Sequence, residues 1–352
     1  MKPAKCRGKV QTVLGLVDAE VLGITSMHEH ILFDMSIWCV KPAEASKRGL
    51  ADQPVTWQNL YLIRGNRLIN SDNMRQTNEQ LAVKELLLYK RAGGNTIVEL
   101  SENGLSRDPI GLARVSIATG LNIIMGCGYY VGASHPPDLA HKSEDKIAEE
   151  IIRDLTVGVG DTGIRSGIIG EIGCSIPLEN GERKVLRACA AAQRQTGAPL
   201  NIHPSFSDDL VLENVKILKD AGADLSHTII SHVDQDDFGS TTCHRLADSG
   251  CYLEFDAFGH LGYPHLEQGN ILNLTGDLER INRIMALIKD GYTNQILVGQ
   301  DICFKDCLTL YGGFGYAHIL NNVMPLMRAK GMSGEQINTI VVENPKRALQ
   351  FT

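Results

Sequence analysis

A regular alternation of helical segments and short apolar runs constrains this 352-residue chain more than any other feature. Each helical pattern ends at or near a glycine, a short turn follows, and an apolar run comes next. Glycine favours such ends because it readily adopts the left-handed conformation that terminates helices. The helices predicted in this way span residues 81–92, 108–119, 143–157, 182–196, 208–220, 240–248 and 276–289.

The apolar runs are mostly continuous rather than alternating, which is typical of parallel strands buried on both faces. Counting the segment around His28 and His30 as the first, the predicted strands are 28–30, 96–100, 121–125, 167–172, 199–203, 228–232, 252–256 and 295–301. Eight strands alternating with helices predict an α/β fold, a (β/α)8 TIM barrel, formed by residues 1–352 as a single domain.

Three segments stand outside this repeat. Residues 8–23 alternate enough to predict an N-terminal hairpin. Residues 35–78 are too long for a simple connection, so we predict an inserted loop region with short helices after strand 1, over one end of the barrel. The tail from Ser333 to Leu349 is predicted to be helical, with Pro345 at the start of the last helix.

Composition excludes several classes of function. The 34 basic and 41 acidic residues give a net charge of −7, which offers no footing for nucleic acid. No apolar run is long enough for a membrane span, and the first residues lack the apolar stretch of a signal peptide. Nine scattered cysteines without a CxxC pair favour reduced thiols. A cytoplasmic protein with a small-molecule substrate is expected.

Histidines and carboxylates follow the predicted strands at the end where barrels carry out chemistry. His28 and His30, two residues apart in an extended segment, project from the same face. A single histidine at a strand end more often packs than binds metal, but six candidates at equivalent positions favour a metal site. These candidates are His28, His30, Glu171, His203, His232 and Asp301. Four imidazoles and two carboxylates suit two divalent ions with room for water, zinc being expected and manganese or cobalt the alternatives.

Other residues near these strand ends have two interpretations each. Cys303 is close enough to Asp301 in sequence to face the same pocket. Lys305 could bind an anionic group, although a solvated lysine is commoner. His260 and His265 could contact substrate, but a solvated loop position is favoured. The loops also contain aromatic residues that predict a partly apolar pocket: Trp38, Tyr130, Phe258, Tyr263, Phe304 and Tyr311.

Taken together, the motifs resemble those of the phosphotriesterase family of the amidohydrolase superfamily. The motifs are His28-x-His30, Gly170-Glu171-Ile172-Gly173, His203-Pro204, Ser231-His232-Val233-Asp234 and Gln300-Asp301. The resemblance runs over nearly the whole chain. It implies that His28, His30 and Asp301 hold the more buried ion and that His203 and His232 hold the more exposed one, with Glu171 bridging the two.

Glu171 as the bridging ligand differs from the bridge in the phosphotriesterases proper, which use a carboxylated lysine on strand 4. No lysine occurs between Lys146 and Lys184, so the sequence excludes a carbamate there. Glu171 looks like the substitute found in the phosphotriesterase-related branch. This departure argues against organophosphate hydrolysis as the natural activity.

The chemistry expected of such a site is hydrolysis. Two cations sharing a water lower its pKa, and the resulting hydroxide attacks the carbonyl of a lactone, carboxylic ester or amide. Asp301 is placed to take the proton. Tyr130 matches a tyrosine that lactone-hydrolysing members place near the leaving oxygen, with packing as the alternative. A phosphotriesterase is the second hydrolytic function considered, and a non-catalytic small-molecule-binding protein is the alternative of another class. A homodimer is expected.

Overall fold

A computed structural model describes residues 6–235, 238–260 and 275–352, together with the backbone of 265–267 and 270–272. Eight strands form one parallel sheet in which each strand pairs with the next one along the chain. These strands are β1 (Thr25–Glu29), β2 (Thr96–Glu99), β3 (Asn122–Cys127), β4 (Ile168–Gly173), β5 (Leu200–His203), β6 (Thr228–Ile230), β7 (Tyr252–Phe255) and β8 (Ile296–Val298). Beyond β8, the Asp301 amide donates to the His28 carbonyl at 2.9 Å and brings the last strand back to β1.

Helices fill the connections between the strands, and the predicted TIM barrel is confirmed. They are α1 (Glu79–Arg91), α2 (Pro109–Thr119), α3 (Glu144–Thr156), α4 (Asn180–Thr196), α5 (Asp208–Asp220), α6 (Ser240–Asp248) and α7 (Asp277–Lys289). The side chains of Asn78, Asp108 and Ser143 cap the N-termini of α1, α2 and α3. Gly120 and Gly197 end α2 and α4 with φ of 65° and 71°, as the glycine pattern predicts.

The strands are buried on both faces. Every residue of seven strands is buried, and Asn122 at the start of β3 is the only partly exposed residue of the eight. This burial explains why the runs are continuously apolar rather than alternating.

The N-terminal hairpin closes the end of the barrel where the strands begin. Its strands, Lys9–Thr12 and Gly15–Asp18, pair antiparallel. Val10 is fully buried in one apolar cluster with Ile124 and Ile168. The opposite end, where the strands terminate, remains available for a site.

The segment after β1 covers that opposite end, as predicted. It contains the short helices Ala45–Arg48 and Leu60–Gly65, the 3-10 turns Ser36–Trp38 and Arg67–Ile69, and a two-stranded ribbon of Phe33–Asp34 with Arg75–Gln76. Asn73 fastens it to the loop after β8: its side-chain amide donates to Asp306 Oδ1 at 3.1 Å, and its side-chain oxygen accepts from the Asp306 amide at 2.9 Å.

Two helical stretches complete the chain. A π-helical turn, Ile319–Val323, leads into the α-helix Met324–Ala329, and the tail comprises Gly334–Asn338, the π-helical turn Thr339–Glu343 and Asn344–Leu349. Pro345 lies in the first turn of the last helix, as predicted. All nine cysteines are free thiols. Within the described residues, no helix combines the length and the apolarity required to cross a bilayer.

Candidate metal centre

Glu171 lies at the centre of a buried cluster at the carboxyl ends of the strands. Its Oε1 lies 2.7 Å from His203 Nδ1 and 2.8 Å from His232 Nε2. Its Oε2 faces the other way, 3.6 Å from His28 Nε2 and 3.9 Å from His30 Nε2. The two oxygens of one carboxylate therefore face two different pairs of imidazoles.

Asp301 completes the cluster from the segment after β8. Its Oδ1 lies 3.2 Å from His30 Nε2 and 3.7 Å from His28 Nε2. The other ring nitrogen of His30 contacts Ser101 Oγ at 2.9 Å, which turns Nε2 inward. The structure thus brings all six predicted ligands together, while their binding of metal stays a prediction.

The donor set fits divalent ions. His28 Nε2 and His30 Nε2 are buried and have no hydrogen-bond partner among the described residues. An unpartnered buried imidazole nitrogen is costly unless something else, such as a cation, occupies it. Donors that share one zinc ion at about 2 Å lie about 3.4 Å apart, which is close to the separations seen here. Overlapping groups of these residues could each hold an ion.

Two carboxylates on β7 and directly after it orient the histidines from outside. Asp256 contacts His28 Nδ1 at 3.0 Å through Oδ2 and His232 Nδ1 at 2.9 Å through Oδ1. Glu254 Oε2 lies 3.2 Å from His28 Nδ1. Such partners fix the tautomer that leaves Nε2 free for a metal. Neither residue was predicted from the sequence, although two carboxylates spaced by two on an otherwise apolar strand were a signal.

Backbone strain concentrates at two of the six residues. His232 and Asp301 adopt φ of 57° and 46°, in the left-handed region that non-glycine residues rarely occupy. The His232 amide donates to Asp256 Oδ2 at 3.0 Å, which helps to hold this conformation. Strain of this kind persists where the surroundings enforce it, and it commonly marks functional sites.

The central carboxylates are ionised. Burial opposes ionisation, but His28 and His203 hold the pKa of Glu171 well below its usual range. Burial likewise opposes the shift at Asp301, where the neighbouring side chains of His30 and His28 lower the pKa. By contrast, burial raises the pKa of Glu29 to about 8. Against the effect of burial, His232 and then His28 lower the pKa of Asp256 as well, so the ionised carboxylates of this region are the ones that contact histidine rings.

Tyr130 lies at the edge of this cluster. Its hydroxyl lies 3.4 Å from His203 Nδ1, and its ring packs edge-on against Trp38 with centroids 6.3 Å apart. Burial, and then the charge of Glu171, raise the pKa of Tyr130 well above its usual range, so the phenol stays a neutral donor. The structure places Tyr130 beside the site, and its catalytic role stays a prediction.

The expectation of a solvated His260 is wrong. Its Nε2 lies 3.0 Å from the Asp301 carbonyl oxygen, and its Nδ1 lies 3.2 Å from Arg67 Nη1. Since Arg67 donates to Nδ1, the proton is on Nε2, which donates to Asp301. Burial, and then the charge of Arg67, lower the pKa of His260 to about 4, so the ring is neutral. The side chains of His265 and Tyr263 fall outside the described residues.

The remaining candidates have structural partners. Lys305 is not a solvated lysine, because its Nζ donates to Asp72 Oδ1 at 2.7 Å and so ties the insertion to the last loop. Cys303 is buried in the same apolar cluster as Tyr130. Burial, and then the Asp301 carboxylate, raise the pKa of the Cys303 thiol well above its usual range, which favours the neutral thiol.

A parallel barrel with a buried cluster of histidines and carboxylates at its carboxyl end defines the class of metal-dependent barrel hydrolases. Comparison with known proteins specifies the family. Residues 8–349 match the model of the phosphotriesterase family. The chain belongs to the phosphotriesterase family, and it is an enzyme of this group of divalent-metal-dependent hydrolases, as the motifs predict.

Individual relatives match over nearly their whole lengths. The chain is 40% identical over 347 residues to an N-acetyltaurine hydrolase of Xenopus tropicalis, covering 98% of each chain. A resiniferatoxin-binding protein of Rhodobacter sphaeroides has a similar structure, with a TM-score of 0.93 and 34% identity over 98% of this chain and 96% of that one. A phosphotriesterase homology protein of Escherichia coli, solved with phosphate in its active site, has a TM-score of 0.77 and 27% identity over 94% and 99%.

Proposed function

We propose that this protein is a binuclear metal-dependent hydrolase that cleaves the amide bond of a small N-acylated substrate of the N-acetyltaurine type. The observation that carries this proposal is the set of six donors around Glu171, with two buried imidazole nitrogens that lack any partner among the described residues. The amide is favoured over the ester and the lactone because the relative that is 40% identical over 98% of both chains is named an N-acetyltaurine hydrolase.

The ligands divide into two groups around the shared carboxylate. His28, His30 and Asp301 would hold one ion, His203 and His232 the other, and Glu171 would bridge the two. The two oxygens of Glu171 support this division. Oε1 lies within 2.8 Å of His203 Nδ1 and His232 Nε2, and Oε2 faces His28 and His30. Zinc is the proposed ion, since it accepts mixed imidazole and carboxylate ligands. When bound, two such ions activate a shared water and polarise the amide carbonyl.

Asp301 would move the proton. Amide cleavage requires a proton on the departing nitrogen, because an amine leaves far more readily than its anion. The Asp301 carboxylate is ionised, lies 3.2 Å from His30 Nε2, and can take the proton from water and return it to the leaving nitrogen. Tyr130, a neutral donor beside His203, would orient the substrate by a hydrogen bond.

A phosphotriester is the second candidate substrate. The phosphate in the active site of the Escherichia coli relative favours it, since that site binds a phosphate. Glu171 in place of a carboxylated lysine counts against it. A binding protein without catalysis is the third candidate, because one structural relative is named for resiniferatoxin binding. No candidate ligand is lost from the cluster, which favours an enzyme.

A substrate panel tests these candidates. The protein is loaded with zinc, manganese or cobalt and assayed with N-acetyltaurine, a γ-lactone, an aryl ester and an aryl phosphotriester. We expect acetate release from N-acetyltaurine with the highest kcat/KM of the four. A higher kcat/KM on the lactone, the ester or the phosphotriester would overturn the amide assignment. Binding without turnover on any substrate would favour the binding protein. Sedimentation analysis tests the homodimer, which stays a prediction.

A further inference from the structure

We infer that Arg67, on the inserted segment after β1, binds the anionic group of the substrate and thereby selects N-acyl substrates that carry a sulfonate or a carboxylate. This inference rests on the proposed amide hydrolysis. It assigns a role to a residue that lies outside the six-residue cluster and comes from a different segment of the chain.

Arg67 reaches the site through one intervening side chain. Its Nη1 donates to His260 Nδ1 at 3.2 Å, and His260 Nε2 donates to the Asp301 carbonyl at 3.0 Å. A histidine ring is about 2 Å across between its nitrogens, so this path between the guanidinium and the Asp301 carbonyl is about 8 Å long at most. Arg67 is thus close to the cluster without being part of it.

The guanidinium is held rigidly. Its Nε donates to Asp306 Oδ2 at 3.0 Å, and the group lies over the Phe304 ring at 5.4 Å from the centroid. Asn73 fixes Asp306 in turn, through the two hydrogen bonds that join the insertion to the last loop. Such an arrangement orients the planar group before any ligand arrives, which lowers the entropic cost of binding.

Arg67 retains donors for a ligand. A guanidinium has five N–H groups, and Asp306 and His260 use two. Within the described part of the chain, Nη2 donates no hydrogen bond, and the side chain keeps 11% of its surface exposed. Nη2 carries two N–H groups and lies beside Nη1, an arrangement that suits an oxyanion such as a sulfonate or carboxylate.

The neighbouring cations are committed elsewhere. Lys305 Nζ pairs with Asp72 at 2.7 Å. Arg64, three residues before Arg67, donates to the Tyr311 carbonyl at 3.0 Å and lies 3.9 Å from Asp306. Neither contacts His260 among the described residues. Arg67 is therefore the cation of this region that is best placed to meet a ligand at the cluster.

The size of the proposed substrate agrees with this placement. In N-acetyltaurine two carbons separate the amide nitrogen from the sulfonate, so the acyl carbon and the sulfonate sulfur lie about 5 Å apart when the molecule is extended. A substrate whose amide lies at the cluster can extend its anionic end to Arg67. A neutral N-acyl compound of equal length gains nothing from that contact.

The test compares a charged and a neutral substrate of matched length. N-acetyltaurine and N-acetylethanolamine differ at the terminal group, sulfonate or hydroxyl. In the metal-loaded Arg67→Met enzyme, kcat/KM for N-acetyltaurine should fall roughly 10- to 100-fold, mainly through KM, while kcat/KM for N-acetylethanolamine changes less than about threefold. Arg64→Met, which removes a guanidinium near the same Asp306, should leave both values near those of the wild type. Equal losses on both substrates, or no loss on either, would overturn the inference.

Two further measurements test the inference if the Arg67→Met variant does not fold or if the wild type cleaves neither amide. Arg67→Met leaves the buried Asp306 with only the more distant Arg64 as a charge partner, so the double variant Arg67→Met/Asp306→Asn replaces it if the single variant does not fold. If the wild type cleaves neither amide, the proposed function fails, and calorimetry with 1-propanesulfonate decides the role of Arg67 separately. The wild type should bind this anion at least tenfold more tightly than the Arg67 variant. Equal binding, or no binding to the wild type, would overturn the inference.

Discussion

Asp301 combines three features that seldom occur in one residue. It has a positive φ of 46°, its carboxylate lies 3.2 Å from His30 Nε2, and its carbonyl oxygen accepts from His260 at 3.0 Å. The first shows that the surrounding contacts enforce an unusual backbone conformation. The contact with His30 places the carboxylate at the cluster, which the proposed proton transfer requires, and the contact with His260 holds the backbone.

Asp301 has two proposed roles, as a metal ligand and as the group that takes the proton. Replacement of Asp301 by asparagine should separate them. The asparagine side chain would keep an oxygen toward the cluster but could not accept a proton. We expect Asp301→Asn to keep much of the metal and to lose roughly 10²-fold or more in kcat. Metal content and turnover, measured on the same preparation, check this. Turnover near that of the wild type would make Asp301 a structural residue.

Glu171 is the one carboxylate among the six candidate ligands whose two oxygens face both groups of histidines. Glu171→Gln keeps the shape but removes the negative charge that offsets repulsion between two cations. The variant should bind fewer than two ions per chain and lose most activity. Because no carbamate is involved, bicarbonate should not improve metal loading of the metal-free wild type. Two ions and full activity in Glu171→Gln, or improved loading by bicarbonate, would place the bridge elsewhere.

Asp256 supports His28 and His232 at the same time. In Asp256→Asn an amide N–H₂ would replace one accepting oxygen, so one imidazole would lose its orienting partner. Metal affinity should fall roughly 10- to 100-fold, as measured by competition with a chelator. Glu254→Gln is the matched control, since Glu254 contacts His28 but not His232, and it should lose less. Affinity equal to that of the wild type in Asp256→Asn would contradict this role.

Among the elements, the insertion is the one that covers the end of the barrel where the cluster lies. Asn73 is fully buried and makes two hydrogen bonds with Asp306 across the junction between the insertion and the last loop. Since Asp306 also holds Arg67, the junction connects the covering segment to the proposed anion contact.

Asn73→Ala should loosen this covering segment. Asp306 would keep Arg67 but lose both hydrogen bonds to Asn73, and a buried group left without its partner costs about 1–3 kcal/mol in local stability. We expect faster hydrogen exchange across residues 35–78 and a rise in KM that exceeds the fall in kcat. Lys41→Ala is the control, because Lys41 is an exposed residue of the same segment that pairs with Asp52 at 3.4 Å. Equal exchange rates in the two variants would mean that Asn73 does not hold the segment.

At the scale of the whole molecule, the cluster joins distant parts of the barrel. The six candidate ligands come from β1 and the residue after it, β4, β5, and the segments after β6 and β8. Ions bound there would connect strands that are not all adjacent in the sheet. Metal binding should therefore stabilise the native fold against unfolding.

Removal of metal tests this coupling. A ligand present at 100 times its Kd stabilises the folded state by about 2.7 kcal/mol, so a chelator should lower the Tm by several degrees. Two equivalents of zinc should restore the Tm and give two ions per chain by metal analysis. Glu171→Gln should show a smaller shift. An unchanged Tm after complete metal removal would mean that the cluster does not hold stabilising ions.

The barrel and the boundaries of its helices follow from the sequence because their signals are local, whereas the first and last strands end up to three residues earlier than predicted. Helix caps, terminal glycines and continuous apolar runs act over a few residues, and the predicted helices agree with the observed ones to within two residues. Once the barrel is predicted, its strand ends must share one layer, so residues such as His28, Glu171 and Asp301 are expected to be neighbours. Their convergence was therefore predicted without knowledge of side-chain contacts.

Contacts between segments remote in sequence depended on the tertiary structure. Arg67 meets His260 across 193 residues, and Asn73 meets Asp306 across 233. Neither pair has a local signal, because an arginine in a long insertion and a histidine in a loop resemble ordinary solvated residues. The orientation of the insertion over the barrel decides both contacts. The sequence thus determines the barrel and where its chemistry gathers, whereas packing of the covering segment decides which charged group lies beside it.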